Sequence, residues 1–173
     1  MRNILRLLRY DWPLHFVLTF TNWLPDNVII LRIRGVVARP FFGKCGFNLR
    51  LGRNLTFYNP SKIFLGHNIY IAEGNWFSAN EKIYIGDEVI FGPKSVITSS
   101  NHTLLNGSYR YGKPKSKVII INKGVWIAAH CTITAGSDIG NSTLIAANSV
   151  TRGTIPNKVL WGGNPGRIIK QYE

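Results

Sequence analysis

Residues 121–150 read INKGVW IAAHCT ITAGSD IGNSTL IAANSV. Ile121, Ile127, Ile133, Ile139 and Ile145 each open a six-residue unit. The next residue is Asn122, Ala128, Thr134, Gly140 or Ala146, so an aliphatic side chain is followed each time by a small or polar one. A fixed internal period outranks local propensity as a guide to architecture, because each repeat is one structural unit that buries its apolar side only by stacking on its neighbours. In a short strand, alternate side chains face opposite ways. A strand plus a sharp corner in each hexad therefore returns one aliphatic residue to the interior every sixth position. Small residues suit the corner that follows.

Working outward, the same beat runs through Ile85-Gly86, Phe91-Gly92 and Ile97-Thr98, and through Leu65-Gly66, Ile71-Ala72 and Phe77-Ser78. It slips by two residues between Ile63 and Leu65 and again between Phe77 and Ile85, as small insertions at coil corners would make it do. Three hexads close one triangular coil, and coils stack through parallel backbone pairing about 4.8 Å apart. About ten to twelve hexads predict some four coils. The fold class expected is an all-β solenoid, with an N-terminal helical segment and a short C-terminal helix or tail.

The beat breaks at residues 103–118. Leu104-Leu105-Asn106-Gly107-Ser108-Tyr109-Arg110-Tyr111-Gly112-Lys113-Pro114 has the composition of an exposed loop, and a long loop inside a regular stack is more often functional than idle. His102 stands immediately before it. Three regions follow: 1–42, a helical segment; 43–160, the solenoid with its inserted loop; 161–173, a terminal strap or tail.

The chain has 173 residues and 45% hydrophobic content, which is enough for one domain with a core and excludes disorder by composition. Lys and Arg total 21 against 8 acidic residues, a formal net charge of +13. That balance predicts an anionic ligand or surface. No nucleic-acid recognition motif accompanies the basic residues, so nucleic acid is not an expected partner. Cys45 and Cys131 have no metal-like spacing and read as two reduced thiols. His15, His67, His102 and His130 lack the close pairing of a zinc site, and no metal is expected.

Arg2, Arg6 and Arg9 alternate with Ile4, Leu5, Leu7 and Leu8, followed by an apolar stretch from Leu14 to Leu24. No small-residue cleavage site follows, which argues against a signal peptide. The stretch is shorter than the ~20 residues a bilayer span needs. Extending it would bury Asp26 and Arg32 at about 2.5–3.5 kcal/mol per charge. Two readings stand: a cap over the end of the solenoid, and a docking element, centred on residues 1–24, for the inner face of the cell membrane. Two reduced thiols make the cytoplasm the expected location, and the second reading puts the protein at the inner face of the membrane.

The order of motifs adds a family. It is Ile85-Gly86-Asp87-Glu88-Val89-Ile90-Phe91-Gly92-Pro93, Val96-Ile97-Thr98-Ser99-Ser100-Asn101-His102, Gly112-Lys113-Pro114, Lys123-Gly124-Val125-Trp126-Ile127-Ala128-Ala129, and Trp161-Gly162-Gly163-Asn164-Pro165-Gly166-Arg167-Ile168-Ile169-Lys170. In that order, over roughly residues 43–170, the chain resembles the hexapeptide-repeat acyltransferases. Within them it is most similar to the maltose, galactoside, capsule and lipopolysaccharide sugar O-acetyltransferases.

The resemblance implies a left-handed parallel β-helix, a homotrimer with active sites between neighbouring prisms, acetyl-CoA as donor, and a saccharide or lipid-linked saccharide as acceptor. It makes His102 the general base, a role that suits imidazole because it titrates near neutral pH. It places Asn80 and Asn101 on the acceptor. Trp126, Ala128, Ala129 and Ala147 fall along the pantetheine arm, and Arg152, Arg167 and Lys170, with Lys158, near the CoA phosphates. Relatives carry a lysine where this chain has Gly153, so Arg152 is the substitute. Lys113, Lys115 and Lys117 are a second basic group for CoA or an anionic glycan. Glu73 and Glu81 are candidates to orient His102, while Ser99 and Ser100 suit corner hydrogen bonding. Two alternatives stay open: N-acetylation of an amino-sugar nucleotide, and a non-catalytic β-helix scaffold.

Overall fold

The computed structural model describes residues 2–173, with side chains from residue 4; Met1 and the side chains of Arg2 and Asn3, the first arginine of the basic segment among them, lie outside the described residues. Helices open the chain. α1 (Arg2–Arg6) runs through one π-helical turn at Leu7–Asp11 into α2 (Trp12–Thr21), and α3 (Val28–Ala38) follows a break at 22–27. Pro13 sits in the first turn of α2, where its missing N–H costs nothing. The Asn27 side chain caps α3 by accepting the Ile30 N–H at 3.0 Å.

The rest is a parallel solenoid. Coil one holds β1 (Lys44–Cys45), β2 (Arg50–Leu51) and β3 (Thr56–Tyr58); coil two β4 (Ile63–Leu65), β5 (Tyr70–Ile71) and β6 (Trp76–Ser78). Coil three holds β7 (Ile83–Ile85), β8 (Ile90–Phe91) and β9 (Val96–Thr98), and an arm follows with β10 (Ser100–Asn101) and β11 (Lys115–Ser116). Coil four is β12 (Ile119–Ile121), β13 (Trp126–Ile127) and β14 (Thr132–Ile133); coil five β15 (Asp138–Ile139), β16 (Leu144–Ile145) and β17 (Val150–Thr151). The stack ends with β18 (Thr154–Ile155) and β19 (Val159–Gly163), on which β20 (Gly166–Gln171) folds back antiparallel. Sheet one is β1-β4-β7-β12-β15-β18, sheet two β2-β5-β8-β13-β16-β19-β20, and sheet three β3-β6-β9-β14-β17.

Sheet one has six strands, so the stack is nearly six coils rather than four. The difference is the first coil, where Cys45, Leu51 and Phe57 keep the six-residue spacing without an isoleucine to mark it, and the terminal strands β18 and β19. Arg50 pairs with Tyr70 and Tyr70 with Ile90, a step of 20 residues; Trp126 pairs with Leu144, a step of 18; Leu144 pairs with Leu160, a step of 16. In the early coils sheet one turns two side chains inward, Ile63 with Leu65 and Ile83 with Ile85, which reads in sequence as a slip of phase.

The chain end also differs from the expected helix or tail. β-branched Ile168 and Ile169 favour extended backbone, and pairing with β19 satisfies the exposed edge of the last coil. Trp161 locks this hairpin: its indole N–H donates to the Val150 carbonyl at 3.1 Å, and a Cβ on Gly166 would lie 2.1 Å from that nitrogen.

The interior is a column. Phe57 stacks on Phe77 at a centroid spacing of 4.9 Å, Phe77 meets Phe91 edge to face at 5.4 Å, and Ile97, Ile121, Ile127, Ile133, Ile139 and Ile145 continue the column, all buried. Each such side chain contributes about 1.5–3 kcal/mol of transfer free energy. The small residue after each inward aliphatic is set by coil-to-coil approach, since a Cβ on Gly86 would lie 2.8 Å from the Lys123 nitrogen. Left-handed backbone comes two residues later, at Asn68, Glu88, Gly124 and Ser142 on one edge and Asn54, Gly74, Lys94, His130 and Asn148 on another.

α2 and α3 close the open end of coil one. Leu14, Leu18 and Ala38 join Leu49, Leu51, Leu55 and Phe57 in the core, and Gly35 lies so close to the Leu49 carbonyl that a Cβ would overlap it at 1.9 Å. Arg34, fully buried, donates to the Asp26 carboxylate and to the carbonyls of Leu24 at 2.7 Å and Leu51 at 3.2 Å. That one guanidinium fastens the break between the helices to the first coil. Leaving such a buried charge without its partner costs about 3–5 kcal/mol.

Candidate active site

The three edges of the prism are not alike. From Leu65 to Ile71, Ile85 to Phe91 and Ile139 to Ile145 the edge between sheets one and two spends six residues, and the edge between sheets two and three does the same from Ile71 to Phe77 and Ile127 to Ile133. All variation in coil length falls on the edge between sheets three and one. There Asn59 and Asn80 stand at successive corners, and there the arm leaves coil three.

The arm is anchored at its base. Buried Ser99 donates through its hydroxyl to the Glu81 carbonyl at 2.9 Å and accepts the Glu81 N–H at 2.8 Å. β10 and β11 pair Ser100 with Ser116 and Asn101 with Lys115, so the stretch expected as a plain loop is a two-stranded arm. Its strands are two residues long and polar, which hides them from periodicity. His102 follows β10 directly and is solvent-exposed. The return of the arm crosses just beside it: the Thr103 hydroxyl donates to the Lys113 carbonyl at 2.8 Å, and a Cβ on Gly112 would sit 1.8 Å from the Thr103 oxygen. Gly112-Lys113-Pro114 is thus the place where the arm closes on the residue after His102.

Below the arm runs a polar column. Asp11 of the helical segment accepts the Asn59 N–H at 3.1 Å. Asn59 donates to the Asn80 side chain at 3.5 Å, and Asn80 donates to the Ser100 hydroxyl at 2.7 Å. Asn80, Ser100, Asn101 and His102 therefore gather on one edge. Asn59 went unread; its signal was its place one coil before Asn80, legible only once the coil step is known. Glu73 and Glu81 have other partners. Glu73 faces Arg53 at 3.9 Å, and a Glu81 oxygen accepts the Lys82 N–H at 3.0 Å.

The residues expected along CoA lie elsewhere. Trp126 projects from sheet two between Ile90 and Leu144 and is 48% exposed. Ala128 and Ala129 form the next corner, between sheets two and three, and Ala147 holds that corner one coil on. Arg167 pairs with Gly162 at its upper end. This edge offers what an extended pantetheine needs: an indole face, small side chains and a guanidinium. Arg152 lies apart, on the three–one edge, and Lys170 pairs with Leu160 at the far end of β20, its ammonium 5.3 Å from the Tyr172 ring centroid. Lys113, Lys115 and Lys117 are exposed on the arm's return.

The remaining histidines disperse. The His67 ring accepts the Phe47 N–H at 3.1 Å, His130 is exposed with a φ of 58°, and His15 lies on α2. No cluster of three or more metal-ligating side chains occurs among the described residues. Both cysteines are free, and burial pushes the Cys45 thiol up to about 11 against a lesser opposing pull from Arg39.

No family model matches the chain. WbbJ of Escherichia coli K12, named for lipopolysaccharide-biosynthesis O-acetyl transfer, is 29% identical over 144 residues, covering 76% of this chain and 71% of WbbJ. The galactoside O-acetyltransferase of the same organism is 28% identical over 138 residues, covering 80% of this chain and 68% of the relative. A galactoside acetyltransferase solved with coenzyme A superposes with a TM-score of 0.83 at 25% identity, over 94% of this chain and 80% of that one. In sequence the chain is similar to sugar O-acetyltransferases, and in fold to the solved acetyltransferases. The superposed relative was solved with coenzyme A, and the two–three edge of this chain carries side chains that fit an extended pantetheine arm.

Proposed function

We propose that this protein moves an acetyl group from acetyl-CoA to a hydroxyl of a sugar in a cell-surface polysaccharide or its precursor, as a homotrimer. One observation carries the reading: His102 and Asn80 stand on one edge of the prism, and Trp126, Ala128, Ala129, Ala147 and Arg167 on another. A site containing both sets forms when the three–one edge of one protomer faces the two–three edge of the next, which a cyclic trimer repeats three times. The names of WbbJ and of the galactoside enzyme support a saccharide acceptor.

The donor supplies the acetyl thioester. His102 takes the proton of the acceptor hydroxyl as its oxygen attacks the carbonyl carbon, and gives it up to the departing sulfur, so a single imidazole closes the proton balance without a covalent enzyme intermediate. Asn80 and Asn101 hold the sugar beside it. The Ser99 and Gly112 contacts hold the backbone on both sides of His102, which supports a base carried on a fixed arm. Arg167 meets the phosphates. Arg152 and Lys170 sit away from that edge within one protomer, and either would reach the donor only from a neighbour.

The test is acetyl transfer from labelled acetyl-CoA to a panel of saccharides and amino-sugar nucleotides, native protein against His102→Ala. A loss of about 10²–10⁴-fold on saccharide hydroxyls is expected. Unchanged transfer in the variant contradicts the role of His102, and transfer confined to amine acceptors contradicts the hydroxyl.

A further inference from the structure

The helices that close the solenoid have a second face. Leu14, Leu18 and Ala38 point into the core and Leu31 is buried, while Trp12, Phe16 and Phe20 along α2, Trp23 just after it, and Ile29 and Val36 on α3 stand in solvent. Their exposures reach 79% at Trp23, 71% at Phe20 and Ile29 and 70% at Val36. Both helices bury one side against the same end of coil one, so both outer sides face away from the solenoid. Soluble surfaces rarely leave so continuous an apolar patch bare.

The charges of this segment are arranged unevenly. Arg9 on the π-helical turn and Arg32 on α3 are exposed, as is Arg39 on the 3₁₀ turn Arg39–Phe41, where its Nε–H donates to the Cys45 carbonyl at 3.0 Å. The two acids of the segment are occupied: Asp11 lies 3.9 Å from Arg6 and accepts from Asn59, and Asp26 pairs with Arg34 and Arg53. The outer face is therefore apolar and cationic. Two copies of it brought together would oppose arginine to arginine with no acid between them. A bilayer bearing anionic headgroups meets both demands, taking aromatic side chains at the headgroup level and arginine heads at its surface. No helix among the described residues is long and apolar enough to cross a membrane, so the contact would be peripheral.

We infer that the outer face of the two helices docks the protein on an anionic membrane, with the first coil nearest the lipid. The Asn59–Asn80–Ser100 column then rises from the membrane side toward His102, and an acceptor on a lipid carrier would reach the arm along it. This last point rests on the acetyl-transfer reading; docking does not.

The experiment is flotation of the full chain with phosphatidylcholine vesicles and with vesicles containing about a third phosphatidylglycerol. Binding to the anionic vesicles, released by high salt, is expected. Arg9→Glu with Arg32→Glu should weaken it by at least about fivefold for each arginine removed, and Phe20→Ser with Trp23→Ser should abolish it. All four positions are exposed, and an unchanged gel-filtration profile shows that the variants fold. Absence of flotation, flotation indifferent to both variants, or a change of oligomeric state in the Phe20/Trp23 variant would overturn the inference, the last by assigning the face to a second copy. None of these readouts depends on acetyl transfer.

Discussion

Two edges of this prism keep a strict count of six residues from coil to coil, and the third does not. The fixed edges hold the scaffold, their corners set by close backbone approach at Gly86 and Gly92 and by left-handed residues such as Asn68 and Asn148. The variable edge shortens the coil step from 20 to 18 to 16 residues and, between the third and fourth coils, sends out the arm with His102. Both fixed edges demand one backbone path, because an extra residue would turn the following inward isoleucine outward. The free edge absorbs insertions without disturbing the core, and the candidate catalytic group sits on it. The fixed two–three edge supplies the even wall that an extended donor requires.

That contrast can be broken most severely by removing the arm. Replacing residues 99–118 with the four-residue corner Thr134–Ser137 should abolish acetyl transfer while leaving a cooperative melt and a folded solenoid. Retained transfer would place the chemistry elsewhere. On the fixed side, Ile127→Ala hollows a fully buried position and should cost about 2–5 kcal/mol in denaturant unfolding. A loss below 1 kcal/mol would mean that the column repacks freely.

Gly112→Ala sharpens the comparison by disturbing the arm alone. Its Cβ would lie 1.8 Å from the Thr103 oxygen, so the arm must shift next to His102. A displacement of about an ångström at a catalytic group costs on the order of 10²-fold in rate. The variant should lose that factor in kcat with an unchanged Tm, whereas a fall in Tm with kcat intact would make the glycine structural only. The smallest effect concerns Cys45. Its thiol ionises near 11 in the folded protein and near 9 when exposed, so folding holds the proton more tightly. Stability from this group is complete below pH 9 and falls as pH rises toward 11. Urea midpoints should decline over that window in the native chain more than in Cys45→Ala, and the thiol should resist alkylation at neutral pH.

The regular half of the molecule was legible because one isoleucine every six residues admits few architectures. The wide half was less so. Each early coil spends two extra residues on the three–one edge, so Ile83 and Ile85 both point inward and the period of six slips there, and two coils escape the count. Trp126 could have been placed: the residue before each inward isoleucine points outward, as Thr132, Asp138 and Leu144 do, and a tryptophan there stands on the surface rather than in a corner. Nothing in periodicity distinguishes His102. A lone imidazole beside a break in the beat gains meaning from the arm's contacts at Ser99 and Gly112, which are tertiary, and from the family resemblance. The paired acids of the helical segment were equally hidden, since Asp26 meets Arg34 and Arg53 only after the helices fold back on coil one.

The most direct test of the central claim, that one protomer's variable edge works against its neighbour's fixed edge, is complementation between two inactive variants. His102→Ala removes the base, and Ala147→Trp fills the exposed corner where the donor's arm should lie. Co-assembled in equal amounts, the two should recover activity at about a quarter of the sites, those pairing an intact His102 with an intact corner from the other chain. Mixtures that assemble yet stay as inactive as either variant alone would contradict a shared site and place both halves of the chemistry within one protomer.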